Sequence, residues 1–380
     1  MLFHCLQATE PKTGNRRKTM LALTVGASSA APPDAKYSKG SKSALTSSNP
    51  WLPAAKNDDT TCDATVSYLF IAPQAELPLS PVWRKYFDGC PAGSYTVHVH
   101  AQTGSTVSDI PEAKLVHKPL KGELRFSYKM QQAMNLLYEA ASAATAPNGC
   151  QPRWAQVLSD SCAPVSSCAA THEGLAKVRG VSQFEARSIL QKKPKRKPGN
   201  WFPVTKGKEK DGYQWWRQSQ WSALWMDHAR ALLQHEDENR EAWEAVTRWP
   251  VDSHYAINLL YKMRLPFSAA KGTTAVAWEM SNRPLTAHEE AEKRQGHPVV
   301  FDCSDEVDAR HMLTQAVTCG RFFARKFTPA CVQLLSEWQQ NASLSHATAR
   351  GRALNAQVLL GEQLAQAQSC NQADLMPMLL

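Results

Sequence analysis

Val66-Ser67-Tyr68-Leu69-Phe70-Ile71 is the stretch on which the fold turns. Five of its six residues are aliphatic or aromatic, and Pro73, which lacks an N–H, ends it. A short apolar run without polar alternation reads as a strand buried on both faces, the kind found in parallel sheets. Going outward, Trp83 to Phe87 suggests a short helix, and Tyr95-Thr96-Val97-His98-Val99-His100 a second strand. Met130, Ala133, Met134, Leu137, Tyr138 and Ala141 keep helical spacing. Trp154 to Leu158 reads as a third strand, broken by Ser159-Asp160-Ser161 and Pro164. Strand alternating with helix predicts an α/β fold, a sheet with helices on both faces.

In the other direction, residues 1–62 are rich in Ala, Ser, Pro and Lys and lack periodicity, which reads as tail and linker. Arg16-Arg17-Lys18, a short apolar stretch from Met20 to Ala27 and Ser28-Ser29-Ala30-Ala31 have the shape of a weak signal or transit peptide. A disordered tail is the alternative. Beyond the third strand, residues 187–210 carry nine Lys or Arg among prolines and glycines and read as a loop. A helix is predicted with Trp221, Leu224, Trp225, His228 and Leu232 on one stripe, and another after Trp249-Pro250. Gly320 to Phe327 reads as a late strand, followed by helical sequence from Pro329. The expected division is a tail over 1–62, one folded domain over 63–335 and a C-terminal helical segment over 336–380.

The formal net charge of the 380-residue chain is +9, which suits polyanions, whether nucleic acid, anionic membrane or diphosphate ligands. Lys192-Lys193-Pro194-Lys195-Arg196-Lys197 resembles a nuclear localisation signal, but no nucleic-acid-binding motif accompanies it, and no nucleic-acid partner is expected. The ten cysteines contain no CxxC pair and no zinc-ligand spacing, yet they permit several disulfides. His98 and His100 share a strand face without a third ligand, so no metal site is expected. Asn341-Ala342-Ser343 is an N-glycosylation sequon compatible with a secretory lumen. No run approaches the roughly 18–20 apolar residues of a membrane span.

Ligands of open α/β sheets sit beyond the carboxyl ends of the strands. Three runs end there in polar residues: His98-Val99-His100, Ser159-Asp160-Ser161 and Phe323-Ala324-Arg325-Lys326-Phe327. Asp160 is placed either to bond a sugar hydroxyl or to cap the following turn. Trp215, Trp216 and Trp221 cluster as a sugar platform or as core. Trp221 reads as core, while Trp216 and Arg217, at an expected helix start, are acceptor-site candidates.

Taken in order, these segments resemble the core-2/I-branching β-1,6-N-acetylglucosaminyltransferase family, in its plant-like members. The resemblance rests on Tyr68-Leu69-Phe70-Ile71 with Leu77-Pro78-Leu79-Ser80-Pro81-Val82-Trp83, on Ser94 to His100, and on Val157-Leu158-Ser159-Asp160-Ser161-Cys162-Ala163-Pro164. It continues through Trp216-Arg217-Gln218-Ser219-Gln220-Trp221, Asp252-Ser253-His254-Tyr255 and Asn282-Arg283-Pro284-Leu285-Thr286. It closes with His297-Pro298 before Phe301, and with Phe322-Phe323-Ala324-Arg325-Lys326-Phe327.

The resemblance implies a GT-A-like sheet and an inverting transfer from a UDP-sugar, N-acetylglucosamine or another pyranose, to a glycan or glycoprotein acceptor. It also implies Golgi or secretory membrane residence, with membrane association through the N-terminus. The family does without the metal-binding DxD motif, and here Ser159-Asp160-Ser161 stands in its place, so no metal or cofactor is expected. Lys326 falls on the family's phosphate-binding lysine, with Arg325 second because neighbouring strand residues face opposite ways. His98 and Asp160 complete the expected donor side. The family's general-base glutamate falls at Ser253, between Asp252 and His254. A serine hydroxyl without a base of its own cannot take the acceptor proton near neutral pH. Either a neighbour substitutes, or the chain is a UDP-sugar- or glycan-binding relative that does not catalyse transfer.

Overall fold

The computed structural model describes residues 62–351, less 104–109, 111, 117–119, 121–123, 125–126, 191–213, 245–249, 271, 279 and 281. The tail over 1–61, the lysine run at 192–197 and the chain beyond 351 lie outside them. Val66–Gln74 forms β1, an interior strand of the sheet. It pairs in parallel with β2 (Tyr95–Thr103) on one side and β4 (Trp154–Ser159) on the other, aligning Leu69 with both His98 and Val157. The intervening elements are α1 (Ser80–Asp88), β3 (Ala113–Leu115) and α2 (Tyr128–Ser142). After β4 come β5 (Cys162–Pro164), α3 (Cys168–Ala176), β6 (Ser182–Gln183) and β7 (Ala186–Leu190). Next follow β8 (Gln214–Gln218), β9 (Ala223–Trp225), α4 (Met226–Gln234) and α5 (Glu236–Glu244). A 3₁₀ turn at Val251–Ser253 leads into α6 (Tyr255–Lys262), β10 (Phe267–Ser268) and β11 (Thr274–Val276). The last elements are α7 (Ala287–Arg294), α8 (Glu306–Thr318), β12 (Phe323–Arg325) and α9 (Val332–Gly351).

Among the described residues the main sheet has seven strands in the order β10-β6-β9-β4-β1-β2-β3. Alternation along β1 decides what each face meets. Tyr68 and Phe70 point to α1, where Tyr68 lies edge-on to Tyr86 and Phe87, and Phe70 edge-on to Trp83. Each such pair contributes about 0.5–1.5 kcal/mol beyond burial. The Tyr68 hydroxyl is 2.9 Å from both Tyr86 Oη and His172 Nε2, so this polar group in the core is satisfied. Phe323 of β12 packs on the same aromatic cluster, which docks the small sheet β11-β12-β5 onto the large one.

Several sequence expectations change. Trp221 to Leu232 is not one helix: Ala223–Trp225 is a strand, antiparallel to β4, and the helix starts at Met226. The physical reason is β4's second edge, whose N–H and C=O groups need a partner in the core. Trp216 and Arg217 stand on β8, not at a helix start, because β8 pairs with β7. The loop expected from 187 onward therefore begins as strand, up to Leu190. The late strand is only Phe323–Arg325 and belongs to the small sheet. Helix α9 crosses the 335/336 division, and residues beyond it pack on the domain. Trp338 Nε1 donates to Val165 O at 3.0 Å, Gln339 Nε2 to Pro164 O at 2.6 Å, and Lys85 Nζ to Ser336 O at 3.0 Å.

Three disulfides join described cysteines: Cys62–Cys150, Cys90–Cys168 and Cys303–Cys331. The first ties the entry of β1 to that of β4 across 88 residues, a closure worth about 4–5 kcal/mol in the chain-entropy picture. No helix among the described residues is long and apolar enough to cross a membrane.

Candidate active site

The carboxyl end of β4 is where the chain leaves the sheet, and the small sheet is built onto that exit. Arg325 of β12 pairs with Cys162 of β5, and Phe327 N donates to Ser161 O at 3.0 Å. Asp160 therefore meets Arg325 and Lys326 although 165 residues separate Asp160 from Arg325 in the chain (325 − 160). Burial raises the Asp160 pKa, and the two cations pull it back. Ser159 Oγ and Ser161 Oγ lie 3.1 Å apart beside it.

Lys326 is held from behind. Its carbonyl accepts from Phe301 N at 2.8 Å, Thr328 N donates to Phe301 O, and the rings of Phe301 and Phe327 pack at 5.3 Å. The His-Pro-x-x-Phe segment of the sequence is thus a backbone brace for the lysine, and Cys303–Cys331 closes just beyond it. Arg325 does something different. Its guanidinium lies 4.1 Å from the ring centroid of Trp221, and its Nε is buried without a hydrogen-bond partner. Burial lowers its pKa, with Cys162 and Asp160 acting in the opposite direction. Trp221 is buried, as expected of core, yet its ring covers a cation, a contact that periodicity could not reveal.

His98 is not brought to this rim. It is level with Leu69 and Val157, whereas His100 is level with Ile71 and Ser159, one strand repeat nearer the exit. Both histidines are buried, and burial lowers the His98 pKa to about 4, assisted by Lys114. A histidine paired to the middle of β1 is part of the sheet interior.

A second cluster forms along β8, the strand that precedes Trp221. Two side-chain amides fasten it to the 3₁₀ turn and α6. Asn258 Nδ2 donates to Trp216 O at 2.8 Å while its Oδ1 accepts from Trp216 N at 3.0 Å. Gln218 Nε2 donates to Asp252 O at 3.3 Å and its Oε1 accepts from Ile257 N at 2.7 Å. The predicted acceptor residues Trp216 and Arg217 and the predicted base segment Asp252-Ser253-His254 are therefore neighbours. Neither amide was legible as a site residue; only the fold shows what they bind.

In this cluster Asp252 and His254 are buried and Ser253 is partly exposed. His254 Nδ1 donates to Pro250 O at 3.0 Å, which leaves the lone pair on Nε2. Burial is the largest cause that lowers the His254 pKa to about 4, and Arg217 and Arg187 add to it, so the ring is neutral at pH 7. Burial also lowers the Arg217 pKa, Arg187 lowers it further and Asp252 raises it.

Other motif residues prove structural. Arg283 Nε donates to Asp308 at 2.6 Å and its Nη atoms to both Glu289 oxygens at 2.8 Å, while Thr286 and Glu289 form a capping box at the start of α7. Among the described residues one group of three could offer metal-ligand atoms, Cys90, Cys168 and His172. Its two sulfurs are joined to each other, so it is no ligand set.

A mostly parallel sheet flanked by helices, with a carboxylate and two cations at the exit of β4, defines a GT-A-like glycosyltransferase domain. Residues 66–313 match the Core-2/I-Branching enzyme family, and the chain belongs to that family. It is 25% identical over 280 residues to glycosyltransferase BC10 of Oryza sativa subsp. japonica, a match covering 65% of this chain and 64% of that protein. The chain thus aligns with just under two thirds of the curated relative's length.

Proposed function

We propose that this chain binds a UDP-sugar at the β4 exit and transfers its sugar, N-acetylglucosamine or another pyranose, to a glycan or glycoprotein acceptor with inversion. The observation that carries the reading is the convergence of Asp160, Arg325 and Lys326 on one rim. Lys326 meets the diphosphate and stabilises the charge that grows on it as the sugar bond breaks. Asp160 holds a donor hydroxyl. Arg325, kept under Trp221, stiffens the lysine's strand and adds positive potential. The cations take the part a divalent metal would otherwise play, so UDP binding is expected to be independent of metal. The acceptor lies against Trp216 and Arg217.

Proton removal is the step this chain supports least. Ser253 has no base of its own, and its neighbours Asp252 and His254, the latter a base of depressed pKa, are the candidates to substitute. Ser253 therefore favours a second reading, a family member that binds UDP-sugar or glycan with little turnover. The disulfides support residence in an oxidising compartment such as the secretory lumen.

Calorimetry of the full chain with UDP, with and without EDTA, tests the binding reading. Unchanged affinity on chelation is expected, and a large loss would sink metal independence. Turnover of UDP-N-acetylglucosamine in the presence of a galactoside acceptor separates the enzyme from the binding relative.

A further inference from the structure

The solvent side of α9 carries a motif that the proposed reaction does not use. Asn341-Ala342-Ser343 is the chain's one Asn-x-Ser/Thr sequence. The helix is anchored just before it. Gln339 is buried, with its Nε2 donating to Pro164 O at 2.6 Å, and Trp338 Nε1 donates to Val165 O at 3.0 Å. Leu334 and Leu335 are buried against the domain as well. At about 100° per residue, Asn341 stands roughly 200° round the helix from Gln339, on the opposite side. It is exposed there, as are Gln333, Glu337 and Gln340. Pro164 ends β5, the strand that builds the donor rim with β12. The side of α9 that bears Asn341 is therefore turned away from that rim.

The disulfides say where such a motif would be read. Cysteines 88, 78 and 28 residues apart are joined, which takes an oxidising compartment such as the secretory lumen. In that lumen the amide of an Asn-x-Ser/Thr sequence is an acceptor for sugar. We propose that Asn341 is an N-glycosylation site, taking an oligosaccharide from a lipid-linked diphosphate donor. Asn341 Nδ2 bonds to the anomeric carbon of the oligosaccharide while the bond from that carbon to the diphosphate oxygen breaks. The amide gives up one proton to a base of the oligosaccharide-transferring enzyme, and the lipid diphosphate leaves. A bulky, solvating glycan at this position covers a polar helix face and stays clear of β5, so it is compatible with the folded domain and with donor binding. Glycosylation there rests on the secretory residence proposed above.

The test is expression of the full chain in cultured mammalian cells, as it stands and, in parallel, behind a cleavable secretory leader. Gel mobility is compared before and after peptide N-glycosidase, with mass spectrometry of the peptide that contains Asn341. A single glycosidase-sensitive shift is expected. Asn341→Gln and, independently, Ser343→Ala should each abolish it, and Ser343→Thr should keep it. UDP affinity should be the same before and after the glycan is removed. No shift in the leader-bearing chain would overturn the site. A glycan that weakens UDP binding about tenfold or more would overturn its outward placement. A shift in the leader-bearing chain alone would remove secretory residence and leave the site standing. Absence of UDP binding in both forms would remove the transfer reading and likewise leave the site standing.

Discussion

The two rims of the site are built by different means. The donor rim, Asp160 with Arg325 and Lys326, is fixed by main-chain pairing between β5 and β12 and by Phe301 on the Lys326 carbonyl. The acceptor rim, Trp216 to His254, is fixed by two side-chain amides, Asn258 and Gln218. The donor rim sets one carboxylate against two cations, and the acceptor rim sets Arg187 and Arg217 near Asp252 but has a serine at the position where the family's general base is expected. Ladder bonds depend little on which side chains are present, so the donor rim tolerates sequence change. The acceptor rim does not. Binding and chemistry are thus supported independently, and one can be altered without the other.

The largest expected effect lies in the chemistry. Ser253→Glu should raise the transfer rate by about 10²–10⁴, the usual worth of a positioned general base, with UDP affinity unchanged. Steady-state kinetics with a saturating donor measure it, and no gain would break the contrast between the rims. Lys326→Ala should weaken UDP binding by about ten- to a hundredfold, from the loss of a charge-assisted bond, and leave uridine binding alone. Equal losses for the two ligands would place the lysine away from the phosphates.

Asn258→Ala sharpens the comparison from the other side. It strips two partners from the Trp216 backbone and should cost about 2 kcal/mol of stability in a denaturant series. Acceptor binding should fall while UDP binding persists in the folded fraction; a parallel loss of UDP affinity would show that the rims are coupled. The smallest effect is in acid. His98 on the donor side of the sheet and His254 on the acceptor rim both have pKa values lowered by burial, to about 4. The unfolded chain binds these protons first, so their contribution is present above the ordinary histidine range near 6.5 and is lost as pH falls from there toward 4. Each group contributes a slope of at most about 1.4 kcal/mol per pH unit. Unfolding midpoints between pH 7 and 4 should flatten in His254→Asn, and an unchanged slope would show that this ring is not buried as a neutral base.

Some of this was legible in the sequence and some was not, for separable reasons. The runs at 66–71, 95–100 and 154–158 specify buried strands by composition alone, because a strand covered on both faces must be apolar throughout. The exit of the last of those strands, and hence Asp160, followed from the same reading, whereas Lys326 was singled out through the family resemblance. Trp216 and Arg217 were found as residues but placed on a helix. Trp221, Leu224 and Leu232 fit a helical stripe equally well, and only β4's need for an antiparallel partner decides otherwise. His98 was set one strand repeat too deep for its expected role, since a sequence shows alternation but not register.

The sequence by itself determined the central parallel strands, the basic balance and the absence of a carboxylate at Ser253, all properties of local composition. The tertiary structure alone decided that Arg325 lies under Trp221 and not in the open, that Phe301 braces Lys326, and that Arg187 faces Arg217. Each of those depends on pairing between segments distant in the chain, and pairing is set by which backbone edges are left to satisfy once the core has formed.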